Sequence, residues 1–291
     1  MELRQIKYFV KAAELLNFTE AAKECFVAES TLWQQIKQLE TELDVSLFKR
    51  NKRKMELTDA GALFLPHAQR TLASSTNAIQ AIKDLQGLHT GTLIIGCTFN
   101  LTPMLTGALL AFSQTYPDVR ISVVRQSSDE LISLLQHGRL DMVLCFEENP
   151  SDARMEAFPL FNTSLYVVMH RLHPLASEKT LSLNRIKDYP LALPDKSIYI
   201  RGILDNWILS KGGSFTPNLE WNDANLAFNL LKTGHWLTIL TDVAVRNEPE
   251  LTIIPLTGLR PSLKTVLLWM KDGYEKNAIK EFVRLLQNVT A

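Results

Sequence analysis

Cysteine is scarce: Cys25, Cys97 and Cys145 are the only three in 291 residues, and they lie far apart. None forms a CxxC pair or sits at metal-ligand spacing from a histidine, which excludes a disulfide scaffold and leaves structural zinc without support. No run approaches the roughly 18 apolar residues that a bilayer span requires. Glu2, Arg4, Lys7 and Lys11 interrupt the amino-terminal stretch, so no secretion signal is read there; a cytoplasmic location with reduced thiols is expected. Phosphate loops of the GxxxxGKS type, HExxH helices and GxSxG elbows are missing, and no metal or cofactor is expected. An excess of one charge is missing too. Lys and Arg number 31, as do Asp and Glu, so the net charge is zero. That balance gives no global reason to expect a nucleic-acid partner and, alone, fits a metabolic enzyme.

With 46% hydrophobic and 21% charged residues, the chain is an ordinary globular one, long enough for about two domains. Its character changes near residue 90. Residues 1–89 hold 12 basic and 11 acidic residues, yet Lys49, Arg50, Lys52, Arg53 and Lys54 fall within six positions. Ile6, Phe9, Val10, Ala13 and Leu16 give a helix over Leu3–Leu16 an apolar stripe. Thr19 is the expected N-cap of a second helix, Glu20 to about Cys25. After the turn Phe26-Val27-Ala28, Ser30 is the expected cap of a third, with Leu32, Ile36, Leu39 and Leu43 in line. A short helix, tight turn and longer helix make a helix-turn-helix, whose last helix is free to enter a major groove. Two apolar arms, Val45–Phe48 and Met55–Leu57, flank the basic run and read as a hairpin wing. Its charged tip is either a solvated loop or, favoured beside such a motif, a phosphate contact.

A long helix, Asp59–Leu85, follows Thr58 as N-cap. Leu65, Leu72 and Ile79, with Ala68, Ser75 and Ile82, repeat every seven residues; the seam pairs with a second subunit or lies on its own domain. Beyond Gly87 and Gly91, strands and helices alternate: strand Gly91–Thr98, helix Pro103–Tyr116, strand Arg120–Arg125, helix Ser128–His137, strand Asp141–Phe146. That rhythm predicts a parallel, helix-covered sheet. A second lobe is read from strand Leu165–His170, strand Leu191–Leu193, helix Gly202–Ser210, helix Ala224–Thr233 and strand Leu237–Leu240. Strand Lys264–Met270 and helix Glu275–Gln287 close the chain. Ligands bind beyond the carboxyl ends of such strands, so loops after Cys97, Arg125, Cys145 and Leu193 are expected to line a cleft.

Met1-Glu-Leu-Arg-Gln-Ile-Lys-Tyr-Phe9, Asn17-Phe-Thr-Glu-Ala-Ala-Lys23, Gln35-Ile-Lys-Gln-Leu-Glu40, Glu42-Leu-Asp-Val-Ser-Leu-Phe-Lys-Arg50 and Leu57-Thr-Asp-Ala-Gly61 stand in the order found in LysR-type transcriptional regulators, which the chain resembles. Tyr116-Pro-Asp-Val119, Leu140-Asp-Met142 and His173-Pro-Leu-Ala176 extend the resemblance along the chain. It implies an all-α winged helix-turn-helix (1–58), a dimerising linker helix (59–89) and an α/β two-lobed effector domain similar to periplasmic binding proteins (90–291). Lobe I would hold 90–162 and 266–291, and lobe II 163–265. It also implies a bacterial homodimer or homotetramer, double-stranded operator DNA as partner, and a small-molecule inducer; the hydroxyl-bearing helix start at Thr102 suits an anionic group on that inducer. No membrane role and no catalysis are implied.

Where the family commonly reads Val-Ser-Gln-Pro-Ala-Leu-Ser-Arg-Gln-Ile, this chain has Val27-Ala-Glu-Ser-Thr-Leu-Trp-Gln-Gln-Ile36. Glu29, Ser30, Thr31, Gln34 and Gln35 are thereby expected to face the groove, with Thr19 and Lys37 beside them. Losing an arginine weakens the helix as an anchor, so affinity is assigned to Arg50, Lys52, Arg53 and Lys54. Trp33 either joins them or packs in the core. In the cleft, the resemblance points to Thr98, with Asn100, Leu101 and Thr102; Thr102 also reads as a helix cap. Ser127, Ser128 and Phe146 follow the next strands, and Tyr199 and Arg201 the second lobe's first loop. Arg201 is either a carboxylate partner or a surface residue. His235 and Trp236 replace the small residues of a common Gly-Leu-Gly and narrow the pocket, stack on a flat ligand or fill the cleft. Cys97 and Cys145 end neighbouring strands, which raises a thiol switch as an alternative to inert buried cysteines. A binding protein without a DNA role is the other alternative, and it leaves the wing unexplained.

Overall fold

The computed structural model describes residues 1–51, 54–85, 90–146, 152–213, 216–259, 263–271 and 277–290. The chain divides into two compact units. One is Met1–Leu88 with Gln136–Arg139, the other His89–Leu135 with Leu140–Ala291.

The first unit opens with α1 (Leu3–Leu15), α2 (Phe18–Glu24) and α3 (Glu29–Leu43). Glu2 and Gln5 close a capping box at the start of α1. The cap of α2 is Asn17, whose Oδ1 accepts from the Glu20 amide at 3.2 Å, so the expectation for Thr19 is corrected. Asn17 lies one residue outside the helix, where an acceptor reaches the free amides; Thr19 is already inside. Likewise α3 begins at Glu29 after Ala28, which gives no side-chain cap, and Ser30 lies within the first turn. Ile6, Phe9, Val10 and Ala13 of α1 pack with Leu39, and Tyr8 and Ala12 pack with Ala21, Ala22, Leu32 and Ile36.

Strands β1 (Phe48–Asn51) and β2 (Lys54–Leu57) pair antiparallel, Phe48 opposite Leu57 and Asn51 opposite Lys54. Helix α4 (Asp59–Leu85) starts at Thr58, whose Oγ1 accepts from the Gly61 amide at 3.0 Å and donates to the Ser46 carbonyl at 2.6 Å. Gly61 is required by close approach: a Cβ there would lie 2.1 Å from the Leu47 carbonyl oxygen. The heptad seam divides. Leu65, Ala68 and Leu72 pack on the core beneath α1, whereas Ile79 and Ile82 are exposed.

In the second unit a five-stranded sheet has the order β4-β3-β5-β12-β6. Its strands are β3 (Gly91–Cys97), β4 (Val119–Arg125), β5 (Met142–Phe146), β6 (Met155–Thr163) and β12 (Leu263–Met270). The first three are parallel, as expected, but β12 runs antiparallel between β5 and β6. Helices α5 (Thr102–Thr115), α6 (Ser128–Gln136) and α10 (Asn277–Thr290) belong to this lobe. The second lobe holds an antiparallel sheet β10-β7-β11: β7 (Leu165–His170), β10 (Thr238–Thr241) and β11 (Leu251–Pro255). A parallel pair, β8 (Ala192–Pro194) and β9 (Leu219–Trp221), joins α7 (Leu183–Ile186), α8 (Tyr199–Ser210) and α9 (Ala224–Lys232). The polypeptide leaves lobe I after β6 and returns with β12.

Candidate functional site

Two regions bring functional side chains together. In the first unit, α2 and α3 meet at a turn in which Phe26 takes a left-handed φ of 57° and is 94% exposed. Its amide donates to the Lys23 carbonyl and that of Val27 to the Ala22 carbonyl, which closes the end of α2. Beyond the turn, Ser30, Thr31 and Gln34 project from α3 into solvent, while Leu32 and Ile36 turn inward. Thr19 and Glu29 are tied together: the Thr19 hydroxyl donates to Glu29 Oε2 at 2.7 Å, joining the starts of α2 and α3. Gln35 departs from the expectation. It follows the inward phase of the helix beside Ile36, is half-buried, and has a buried Oε1 without a partner among the described residues.

Lys37 is also engaged. Its Nζ donates to Glu40 Oε2 at 2.6 Å and lies 5.8 Å from the Trp33 ring centre. Glu40, only 6% exposed, accepts through Oε1 from the amides of Leu47 at 2.7 Å and Phe48 at 3.1 Å. One carboxylate thus fixes the entry to the wing against the last turn of α3. Trp33 is not core: it is 46% exposed. It borders a groove of about 420 Å³ with Phe18, Ile36, Phe48, Lys49 and Met55. On the wing, Lys49 approaches Glu56 at 4.0 Å. The expected phosphate contacts Lys52 and Arg53 lie outside the described residues, as do the side chains of Arg50 and Lys54 on the paired strands.

In the second unit a cavity of about 270 Å³ collects the segments after β3, β4, β8 and β9 together with the end of β5. Of the expected residues, Thr98, Asn100, Ser127, Ser128, Phe146 and Tyr199 line it. Thr98 Oγ1, Asn100 Oδ1 and Ser128 Oγ are buried without hydrogen-bond partners among the described residues. Ser127 is occupied: its hydroxyl and amide both donate to Glu130 Oε2, at 2.8 and 3.1 Å, and cap α6. Sequence reasoning missed Phe99 and Arg125 on the same wall. The Arg125 guanidinium stands 5.7 Å from the Phe99 ring centre. Its place at the end of β4 was the available signal.

Five expectations are corrected, none of these residues being among those lining the cavity. Leu101 is fully buried in the core. Thr102 donates its hydroxyl to the Phe99 carbonyl at 2.9 Å in the turn before α5. Arg201 is 3% exposed and donates to Asp205 Oδ1 at 2.9 Å, Glu220 Oε1 at 2.7 Å and the Pro194 carbonyl at 2.7 Å. Burial opposes its charge, but the hydrogen bonds of Asp205 and Glu220 outweigh it and hold its pKa above the ordinary arginine value. His235 and Trp236 precede β10, and the next residue, Leu237, bridges Leu191 at the start of β8. They therefore sit at the end of β8 opposite its cavity loop. Trp236 packs half-buried on the core.

The thiol pair is corrected as well. Cys97 lies opposite Leu144 in the β3–β5 register, so Cys145, one residue on, points to the other face of the sheet. Cys97 packs with Leu93, Ile95 and Phe146, while Cys145 packs with Val143, Val266 and Leu268. Burial pushes the Cys97 thiol up to about 12, against weaker opposing effects of Thr102 and Arg125.

Comparison with known proteins follows the same division. Residues 3–62 match the family described as bacterial regulatory helix-turn-helix protein, lysR family, and residues 86–291 match the LysR substrate binding domain. The Hca operon transcriptional activator HcaR of Escherichia coli is 29% identical, over 99% of this chain and 97% of its own. A probable RuBisCO transcriptional regulator of Synechocystis is 27% identical, over 97% and 84%. Among solved structures, a full-length OxyR variant from Pseudomonas aeruginosa superposes with a TM-score of 0.76 at 21% identity, covering 100% and 96%. CbnR, a LysR family regulator solved with its target DNA, gives 0.68 at 23% identity over 99% and 100%. Among the described residues no helix is long and apolar enough to cross a membrane.

Proposed function

The chain belongs to the LysR family of transcriptional regulators, with a helix-turn-helix DNA-binding domain and an effector-binding domain, and from that premise we propose how its own residues divide the work. Ser30, Thr31 and Gln34, with the Thr19–Glu29 pair, read base edges from α3. The basic run Lys49–Lys54 supplies phosphate contacts and most of the affinity. The protein acts in the cytoplasm as a homodimer or homotetramer, with Ile79 and Ile82 of α4 contributing apolar surface to pairing. A small-molecule inducer occupies the inter-lobe cavity and alters the DNA contacts. The observation that carries the inducer site is that Thr98, Asn100 and Ser128 line one cavity and each holds a buried polar atom without a partner among the described residues. Buried polar groups without partners are rare, and a ligand satisfies them.

The test is binding of the full-length protein to DNA upstream of its own coding region across a salt series. Replacing Lys52, Arg53 and Lys54 by alanine is expected to flatten the slope of log affinity against log salt by about one unit per lost phosphate contact. An unchanged slope removes the wing from the phosphate interface. Failure to bind any such DNA at low salt rejects the reading.

A further inference from the structure

We propose that the effector domain carries a second small-molecule site, at the hinge between its lobes, which takes a polyhydroxylated ligand without an acid group, a sugar or a cyclic polyol. A groove of about 660 Å³ lies there and shares no lining residue with the inter-lobe cavity. Its walls are the two segments by which the chain passes between lobes. Residues 162–166 lead out of β6 into β7, and residues 255–259 leave the end of β11 on the way back to β12. Thr180 and Asp242 complete the lining. The site stands apart from the inducer reading and does not rest on it.

The walls are held by other bonds, which leaves their polar side chains over. Leu181 bridges Leu256: the Leu181 amide donates to the Pro255 carbonyl at 2.9 Å, and the Thr257 amide to the Leu181 carbonyl at 2.7 Å. Trp207 Nε1 donates to the carbonyl of Gly258 at 3.0 Å, and Gly258 takes a left-handed φ of 78° that suits glycine. Thr163, the last residue of β6, donates its hydroxyl to Asp242 Oδ1 just past β10, so one hydrogen bond ties the lobes at the hinge. The side chains of Asn162, Ser164, Tyr166, Thr180 and Thr257 have no hydrogen-bond partner among the described residues. Asp242 is the one charged side chain of this lining; it is half-buried and pairs with no cation among the described residues.

This chemistry selects its ligand. An unpaired carboxylate repels an acid and accepts strong hydrogen bonds from hydroxyl groups. Hydroxyl, phenol and amide side chains both donate and accept, as a polyol does. The Tyr166 ring, with Leu165, Pro255 and Leu256, offers apolar surface to the carbon face of a saturated ring. The volume lies within the range of small-molecule sites. A ligand that touches both crossing segments meets a different site when the lobes rotate, so its occupancy biases the angle between them.

The experiment is calorimetric titration of the full-length protein with myo-inositol, glucose, glucosamine and gluconate. Expected is binding of at least one of the first three, about tenfold or more tighter than gluconate. Asp242→Asn keeps an acceptor for Thr163 but removes the charge; it is expected to weaken the bound polyol about tenfold and to narrow the discrimination against gluconate. Thr180→Arg, at an exposed position, is expected to abolish binding by filling the groove. Melting curves of the unliganded variants establish that each is folded. Binding of none of the four compounds overturns the site. Gluconate bound as tightly as glucose overturns the exclusion of acids. Binding untouched by Asp242→Asn overturns the part given to the carboxylate, and binding untouched by Thr180→Arg overturns the groove as its place. No DNA enters the titration, so each of these failures leaves the regulator reading standing.

Discussion

Removing the Glu40 carboxylate is expected to loosen the wing from the recognition helix more than any surface substitution in the first unit. Two backbone amides depend on Oε1, those of Leu47 and Phe48, and the first is buried. Hydrogen bonds to a charged acceptor contribute about 1.5–3 kcal/mol each, so Glu40→Ala is expected to lose about 3–6 kcal/mol. The Lys37 partner adds at most about 1 kcal/mol, because the lysine is half-exposed. Glu40→Gln keeps an acceptor oxygen in place and is expected to lose only about 1–2 kcal/mol. Hydrogen exchange in the full-length protein reads this locally, and 1.4 kcal/mol corresponds to tenfold. Protection of the Leu47 and Phe48 amides is then expected to fall at least about a hundredfold in the alanine variant and roughly tenfold in the glutamine variant. Protection unchanged in Glu40→Ala, or equally lost in both, would refute the reasoning that the carbonyl-like acceptor is what anchors the wing.

Gly61→Ala should be severely destabilising, since its Cβ meets the Leu47 carbonyl oxygen at 2.1 Å and the helix start must move; thermal unfolding checks it. Arg201→Ala leaves the Pro194 carbonyl and two part-exposed carboxylates without their partner and is expected to cost about 1–3 kcal/mol in urea unfolding of the effector domain, with the cavity walls themselves intact. Burial, with a smaller effect of His235, lowers the His173 pKa. The unfolded chain then binds the proton more readily, so stability is complete above about pH 6.5 and declines as pH falls below it. His173→Asn is expected to flatten that decline in urea midpoints between pH 7.5 and 5.5, as buffers of about those values allow. Cys97 should resist iodoacetamide at pH ~8 and react only at the unfolding rate, as its thiol is pushed up to about 12.

Much of this architecture is legible in sequence because its signals are local. Ile6, Phe9, Val10 and Ala13 recur at helical spacing, and Gly91–Cys97 is a continuous apolar run bounded by turn residues. Strand β6 escapes for a physical reason. It is a half-buried edge strand, and Pro159 interrupts its pattern near the register shift at Thr265 and Val266 on β12. Edge and irregular positions are where a sheet tolerates proline. The cavity follows the same division. Thr98, Ser127 and Tyr199 lie just past strands, so position along the chain suffices. Arg201, His235 and Trp236 depend on which end of β8 they reach and on distant partners such as Glu220, which no local pattern encodes.

The position of β12 also determines the order in which the molecule can be completed. The two strands it joins are finished by residue 163, yet β12 begins only at Leu263. A nascent chain emerging from the ribosome therefore carries β5 and β6 with open edges while the whole of lobe II is made. The segment from α1 to α4, which ends at Leu85, can fold long before. Its DNA-binding surface is thus available to the growing chain before the lobe that senses the effector can close, and a truncation within the last strand leaves a reader without its sensor.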